Sequence, residues 1–407
     1  SAIALSPDED GNMNWTELEA VTRHPPINKD GSNTLMKVTT ESGREVIVTK
    51  GKSLLIEVDG KLVEMDGDNV KIGDRVPIVQ ELPETNIEYL NLHSVFAETE
   101  VVFTNTMLEA IEASKHDRKW FQHGGFKERC RYKTALYLMR AIDMRPHLTT
   151  PNMVAWPMGQ SAMLPVEIPL DLEFGFFIGA FLAGGALSDH QVHIANIAPT
   201  FREACKVWPE RYGIKWHITN EKHQNKNNGT SISIVFHSTF LVHLLKRTCG
   251  KGSYNKRVPS FAMVAPKIFI EGLLDGYISG DGHVSKVGCF ISAISRSRAL
   301  RDGIALLLTR FNINATFREY NMKCHIQWTT NEDGSRSQTK YGEEKPMYEL
   351  HIESHGALQF ARHVTLTMTY KQERLDEYLK NPPQKMKIHY GMQDVQLEEI
   401  TSLEEIS

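Results

Sequence analysis

Cysteine is scarce and scattered. Cys130, Cys205, Cys249, Cys289 and Cys324 are the only five in 407 residues, and they form no C-x-x-C pair. An odd, dispersed set excludes the usual zinc-ligand spacings and points to reduced thiols in an intracellular protein, in cytoplasm or nucleus. Neither a signal peptide nor a membrane-spanning run is visible. The most apolar stretch, Phe174 to Leu187, offers about 14 residues against the roughly 20 that a bilayer requires. A positive net charge is missing too, since 46 basic and 50 acidic residues leave a formal charge of −4. That balance argues against attachment to nucleic acid by overall charge, so any affinity for DNA has to come from local basic clusters. The rest is ordinary for a globular chain, at 41% apolar and 24% charged, with length for two or three domains.

What is present is a pattern that occurs twice. Phe177–Val192 reads FIGAFLAGGALSDHQV, and Phe269–Val284, ninety-two residues on, reads FIEGLLDGYISGDGHV. In that register Ile178 falls on Ile270, Leu182 on Leu274, Gly184 on Gly276 and Asp189 on Asp281. Ala180, Gly184 and Ser188 in one copy, and Gly272, Gly276 and Gly280 in the other, recur every four residues. Such residues share one helical face, and a face without bulk lets two backbones approach closely. A small-residue helix is as a rule simply core packing. Its repetition with an aspartate at the matching end is more specific, because two helices packed this way would deliver Asp189 and Asp281 to one spot. Paired carboxylates are hard oxygen ligands for Mg²⁺ or Ca²⁺.

These motifs resemble the LAGLIDADG homing endonucleases in their two-motif, single-chain form. LLDGYISGDG is a good second motif and LAGGALSDH a looser first one, with His190 at the final glycine and Leu187 or Ser279 at the inner aspartate. The resemblance implies an α+β fold, a pseudo-symmetric αββαββα core repeated, with two saddle-shaped sheets over DNA and the motif helices between them. It implies a monomer that hydrolyses both strands of double-stranded DNA at a long recognition site. Asp189 and Asp281 would be the catalytic metal ligands, with Mg²⁺ as cofactor and Ca²⁺ as a non-catalytic substitute. Lys256, in the basic cluster Lys251–Arg257 ahead of Val258-Pro259, matches the family's Lys-x-x-Pro block, and Lys371 is its symmetry-related counterpart. Both would assist catalysis, and Lys251 and Arg257 would contact DNA. An ordinary solvated or phosphate-contacting lysine is the alternative for each.

Residues 1 to about 80 read as short β-hairpins. Asp59-Gly60 between Leu54–Val58 and Leu62–Met65 is a strong turn signal. The wording of Ser42–Leu55 (SGREVIVTKGKSLL) resembles the splicing (Hint) domain of inteins, where a block usually ends T-x-x-H. Thr49 fits that block, and Lys52 stands where histidine is usual. Asp394–Ser407 resembles a strand near the end of the same domain. The starting block and the terminal His-Asn of an intein are not in this sequence, so the chain as given is not expected to splice.

The expected organisation is therefore an all-β Hint-type part at 1–88, a linker and possible DNA-recognition region at 89–165, and a LAGLIDADG domain at 166–382. Its repeats fall at about 170–262 and 263–382, and 383–407 returns to the β-rich part. Leu90–Ala113 could hold one or two helices, and Thr330–Lys345 reads as a polar loop. Two other readings stay open: a DNA-binding module without cleavage, which loss of either aspartate would favour, and an element that acts chiefly in protein splicing.

Lys115–Lys133 interleaves basic residues with Trp120, Phe121, Phe126 and Tyr132, which suits phosphate contact with stacking, although a solvated helix face reads the same way. If the run binds DNA, changing Arg118, Lys119, Lys127 and Arg129 to alanine weakens binding to any duplex. It also flattens the salt dependence by roughly 0.9 log–log units for each phosphate no longer neutralised. An unaltered slope in fluorescence-anisotropy titrations would assign the run to plain surface.

Overall fold

The computed structural model describes the chain apart from residues 1–2, 22, 24, 26, 29–30, 83–86, 96–99, 104–137, 141–153, 157–163, 166, 223–229, 323–324, 331–335, 342–344, 384–390 and 407. The chain divides into two compact units. One comprises residues 85–282 with 364–373, and the other residues 1–84 with 283–363 and 374–407.

The first unit is built on two helices, α1 (Leu172–Gly184) and, further along, α4 (Lys267–Asp281). Asp171 starts α1 by accepting a hydrogen bond from the Phe174 amide, and Arg211 pairs with the same carboxylate. Every residue from Phe174 to Ala183 is buried. Phe174 and Phe177 stack on Trp208 of α2 (Pro199–Arg211) with ring centres 4.5 and 5.2 Å apart. One sheet of this unit runs Gly185–Leu187, Gln191–Ala195, Thr230–His237, Trp216–Lys222, with all neighbours antiparallel. Val192, Ile194, Ile234 and Phe236 fill its inner face, as strand alternation requires. Helix α3 (Thr239–Thr248), capped by Ser238, follows.

The α1–α4 contact is backbone on backbone. A Cβ placed on Gly175 would lie 2.0 Å from the Phe269 carbonyl oxygen, and one on Gly179 2.0 Å from that of Leu273. Reciprocally, a Cβ on Gly272 would lie 2.1 Å from the Leu172 oxygen and one on Gly276 2.3 Å from that of Phe176. Gly175 thus answers to Gly272 and Gly179 to Gly276, a step of 97 residues. The expected face on α4, Gly272 and Gly276, is the one used. That on α1 is not: Gly175 and Gly179 make the contact rather than Ala180, Gly184 and Ser188.

The second unit contains the segment after α4. Strands Phe290–Ser295, Lys345–Glu353 and Thr316–Met322 are adjacent in that order, with α5 (Arg298–Leu308) and α6 (Ser354–His363) supplying Ile304, Leu308 and Phe360 to the core. The order helix, two strands, helix, two strands, helix begins with each motif helix, except that a hairpin interrupts the second copy. Arg336–Tyr341 pairs with His325–Thr330, so part of the polar loop expected at 330–345 is strand, where ladder bonds satisfy the backbone. Likewise Tyr89–Asn91 and Glu100–Phe103 are strands flanking a single helical turn, Leu92–Val95, within the region read as helical.

Both ends of the chain form one β-structure within that unit. The hairpins are Ile3–Pro7 with Met13–Glu17, Leu35–Thr40 with Glu45–Val48, and Lys52–Val58 with Lys61–Asp66. The last strand, Val395–Ile406, pairs with both Leu35–Thr40 and Arg75–Val79. Val38, Ile56, Val70, Val76 and Ile400 make one core, and Met13, Leu62, Val395 and Leu397 another. This structure joins the following sheet through Ser42, whose carbonyl accepts from the Phe317 amide, and through Glu45, whose carboxylate pairs with Arg298 at 2.7 Å. That junction groups the second repeat's sheet with the chain ends, while the glycine contact keeps α4 with α1.

Gly276→Ala tests the helix contact. No flexible side chain can yield to the added methyl, so the helices must separate, at the 1–3 kcal/mol or so typical of overpacking. A lower melting temperature is expected. An unchanged one would mean that the helices tolerate separation here.

Candidate site at the ends of the motif helices

Both motif helices stop the same way. The Gly185 amide donates to the Phe181 carbonyl at the end of α1, and the Gly282 amide to the Ile278 carbonyl at the end of α4. These pairs are again 97 residues apart. In that register the residue matching Asp281, the last of α4, is Gly184, the last of α1. Asp189 is not on the helix. Beyond Gly184 the chain turns into the strand Gly185–Leu187, and Asp189 lies exposed in the bend that follows. The expectation that Asp189 and Asp281 end two matching helices is therefore corrected. The glycine-to-glycine contact sets the register, and Asp189 falls five residues past the helix end.

Lysines complete each helix end. Lys256, in the first unit and 7% exposed, donates through Nζ to the Leu182 and Ala183 carbonyls, both at 2.9 Å. Lys371, 4% exposed and near the start of α7 (Thr369–Lys380), donates to the Ile278 and Ser279 carbonyls, both at 2.8 Å. The last carbonyls of a helix have no partner within it and carry the negative end of its dipole. A buried ammonium group satisfies both needs. Burial pulls the Lys256 amine down to about 8, opposed by the charge of Asp281.

The Asp281 carboxyl is open to solvent at the helix end, yet set among enough protein to feel desolvation. Burial raises its pKa, and the positive charges of Lys256 and then Lys371 oppose that rise. Asp281 is thus brought together with Lys256 and Lys371 as the motif resemblance implies, and Asp189 is replaced in the arrangement by Gly184.

Asp275, one turn before Ser279, carries no signal in the sequence that sets it apart. Its carboxylate accepts from Ser279 Oγ, from the Thr367 amide and from Thr367 Oγ1, each at 2.7 Å. It anchors the segment that leads into α7, and so holds Lys371 under α4. Aligning the two G-x-x-x-G pairs, 175/179 and 272/276, instead of the aspartates would have pointed to Gly184 and drawn attention to Asp275.

Lys251 and Arg257 are exposed, in a loop where Gly250 and Gly252 adopt positive φ, and Arg257 turns back to the Arg247 carbonyl. Thr49 is exposed just after the strand Glu45–Val48, and Lys52 opens the next strand. Arg118, Lys119, Lys127 and Arg129 lie outside the described residues.

A two-carboxylate metal site does not fit what is present. One carboxylate, two ammonium groups and a glycine stand where two carboxylates were expected. Among the described residues no three His, Cys, Asp or Glu side chains are grouped to hold an ion. A side chain at Gly184 would also meet the Ala195 carbonyl, 2.6 Å from its Cβ position.

Residues 269–365 match the family model of the LAGLIDADG-like domain. The chain is 29% identical over 310 residues to DNA-directed RNA polymerase subunit Rpo1C of Methanocaldococcus jannaschii, covering 76% of this chain and 30% of that protein. It is 24% identical over 330 residues to the DNA polymerase II large subunit of Thermococcus kodakarensis, covering 76% and 17%. It is 21% identical over 330 residues to a subunit of the A-type ATP synthase of Methanopyrus kandleri, covering 76% and 31%. The chain thus spans less than a third of the length of each. Among solved structures, full-length DUF199/WhiA from Thermatoga maritima shares 13% identity over 54% of this chain and 63% of that one, with a TM-score of 0.34. Mesophilic variants of the homing endonuclease I-DmoI share 10% over 48% and 90%, with a TM-score of 0.33. Both are remote likenesses.

The buried lysine has a thermodynamic consequence. With Lys256 at about 8 when folded and 10.5 as its ordinary value, the unfolded chain binds more protons between those limits. Stability from this group therefore rises as pH climbs from 8 towards 10.5 and is lost as pH falls through 8. Relative to Lys256→Met, the wild type should gain about 1–3 kcal/mol between pH 7 and 10, at about 1.4 kcal/mol per unit. Urea denaturation of both proteins measures it. A difference that does not vary with pH would show that the amine is not desolvated.

Proposed function

We propose that this chain is an intein-type insertion element whose LAGLIDADG domain binds duplex DNA without cutting both strands. The observation that carries the reading is Gly184 at the end of α1, opposite Asp281 at the end of α4. In the arrangement that the resemblance implies, each motif helix supplies one carboxylate to hold a metal ion against a scissile phosphate. Here one of the two is missing, and the space beside Gly184 is closed by the Ala195 carbonyl. For Asp189 and Asp281 to hold catalytic Mg²⁺ together, Asp189 would have to act from beyond the strand Gly185–Leu187 rather than from the end of α1.

What the remaining residues do follows from charge. Lys256 and Lys371 set two positive charges near Asp281, which favours an approaching phosphate, whereas a second aspartate at the helix ends would have opposed it. Both lysines hold helix ends, so their part in binding is through field rather than direct grasp. Lys251 and Arg257 are exposed and suited to phosphate contact.

The insertion-element part has separate support. Relatives named as parts of an RNA polymerase, a DNA polymerase and an ATP synthase share no task. Each nevertheless matches the same chain over a minor share of its own length. A segment of that kind is portable between hosts. Its ends meeting in one β-structure, with the LAGLIDADG segment between them, is the arrangement a self-excising insertion needs. Thr49 and Lys52 would belong to its splicing half, where lysine in place of histidine removes an acid–base group that titrates near neutrality.

The test begins with selection of a bound site from a genomic DNA library, followed by gel-shift and plasmid assays. Binding is expected with Mg²⁺ and with EDTA alike, and supercoiled plasmid carrying the site should not become linear. Asp281→Asn should bind as well or tighter, because a charge facing phosphate is gone. Linear product from the wild-type protein would overturn the single-carboxylate reading, and absence of any bound site would overturn the DNA-binding one.

A further inference from the structure

The outer face of the sheet in the first unit carries a group of histidines that DNA binding at the helix ends does not use. His193, on Gln191–Ala195, and His217, on Trp216–Lys222, both pair across to Val235 on the strand between them, and His237 stands two residues further along that strand. Alternation puts all three side chains on the same face, opposite Val192, Ile194, Ile234 and Phe236. His217 and His237 are exposed, so an ion in solution can reach them.

We propose that His217 and His237, with His193 as third ligand, form a binding site for a borderline transition-metal ion such as Zn²⁺ or Ni²⁺. His217 Nδ1 and His237 Nε2 face each other at 2.7 Å. Two imidazole nitrogens sharing an ion at about 2.0–2.1 Å stand roughly 3 Å apart, so a small ring movement converts one arrangement into the other. The other nitrogen of His237, Nδ1, lies 3.2 Å from the side-chain amide of Gln191. A metal-bound histidine needs such a partner on its far nitrogen. The amide oxygen and nitrogen are interchangeable by a flip, so Gln191 can accept from Nδ1–H once the ion occupies Nε2.

The proton that now lies between the two rings then moves to His237 Nδ1, and both facing lone pairs go to the ion. As the side chains stand, no three of the described residues converge on one point. His193 therefore joins by a rotamer change, and water fills the remaining positions. Neutral imidazole ligands and an open side suit Zn²⁺ or Ni²⁺ better than Mg²⁺, which prefers oxygen. The site involves none of the residues at the helix ends.

The full chain is titrated with ZnCl₂ and separately with NiCl₂ by calorimetry at neutral pH, and ring-nitrogen signals are followed by NMR with Zn²⁺. One ion per chain is expected, with the His217 and His237 signals moving. His217→Gln and His237→Gln should each weaken binding by roughly tenfold or more, with melting temperatures unchanged because both residues are exposed. His193→Gln should weaken it less, and Asp281→Asn should leave it unaltered. Failure to bind either ion, or affinity retained when both His217 and His237 are replaced, overturns the proposal. An unchanged affinity in His193→Gln removes the third ligand from it.

Discussion

The arrangement of the first unit depends on one contact, the approach of the α1 and α4 backbones at Gly175, Gly179, Gly272 and Gly276. Each glycine lies where a methyl group would overlap a carbonyl oxygen of the other helix. Dispersion and close backbone packing replace the side-chain interdigitation of ordinary helix pairs. The cost is that the helices cannot slide. A shift of one residue would push Phe176 or Tyr277 into the space the glycines leave. The register of the repeat is therefore set by exclusion, and every residue at the helix ends is placed by it.

From that register follows the asymmetry of the candidate site. Both helix ends receive a buried lysine on their last carbonyls, so the electrostatic problem of two converging helix C-termini is solved twice in the same way. The carboxylate survives on one side only. Asp281 tolerates its partial desolvation because Lys256 and Lys371 stand near it. Asp275 holds the second lysine in place through Thr367, and burial pushes its carboxyl up while bonds from Ser279 and Thr367 pull it down. At the matching position on α1 stands Ile178, so the two halves of the site are supported by different means.

In the second unit the constraint is electrostatic. Glu398 is 1% exposed and accepts from Thr40 Oγ1 at 2.6 Å, Ser42 Oγ at 2.5 Å and Arg44 at 2.8 Å. A carboxylate buried this deeply persists only when its lone pairs are filled. The three donors come from the N-terminal end of the chain and the acceptor from the C-terminal end, so closing the β-structure and satisfying Glu398 are one event. Arg44 and Arg301 also flank the ring of Phe317, at 4.9 and 4.3 Å, and carry the contact into the neighbouring sheet.

Local signals in the sequence determined most of the elements. The hairpins between residues 35 and 66 follow from alternation around Ser42-Gly43 and Asp59-Gly60, and Asp59 and Gly60 do take the positive φ that such turns require. Helices α2, α3, α5 and α6 carry an apolar periodicity that acts within a few residues, helped in α3 and α5 by capping serines. Family resemblance singled out Lys256 and Lys371 for a part in catalysis, whereas their hold on the last carbonyls of the two helices belongs to the tertiary structure. Tertiary structure alone decided which glycines touch. In a stretch as rich in small residues as FIGAFLAGG, several registers look equally good, and the aspartates chose the wrong one. Only the carbonyl oxygens of the opposing helix distinguish them, and those belong to a segment almost a hundred residues away. The same holds for Asp275, whose partner Thr367 is distant in sequence, and for the three histidines, which strand pairing brings to one face.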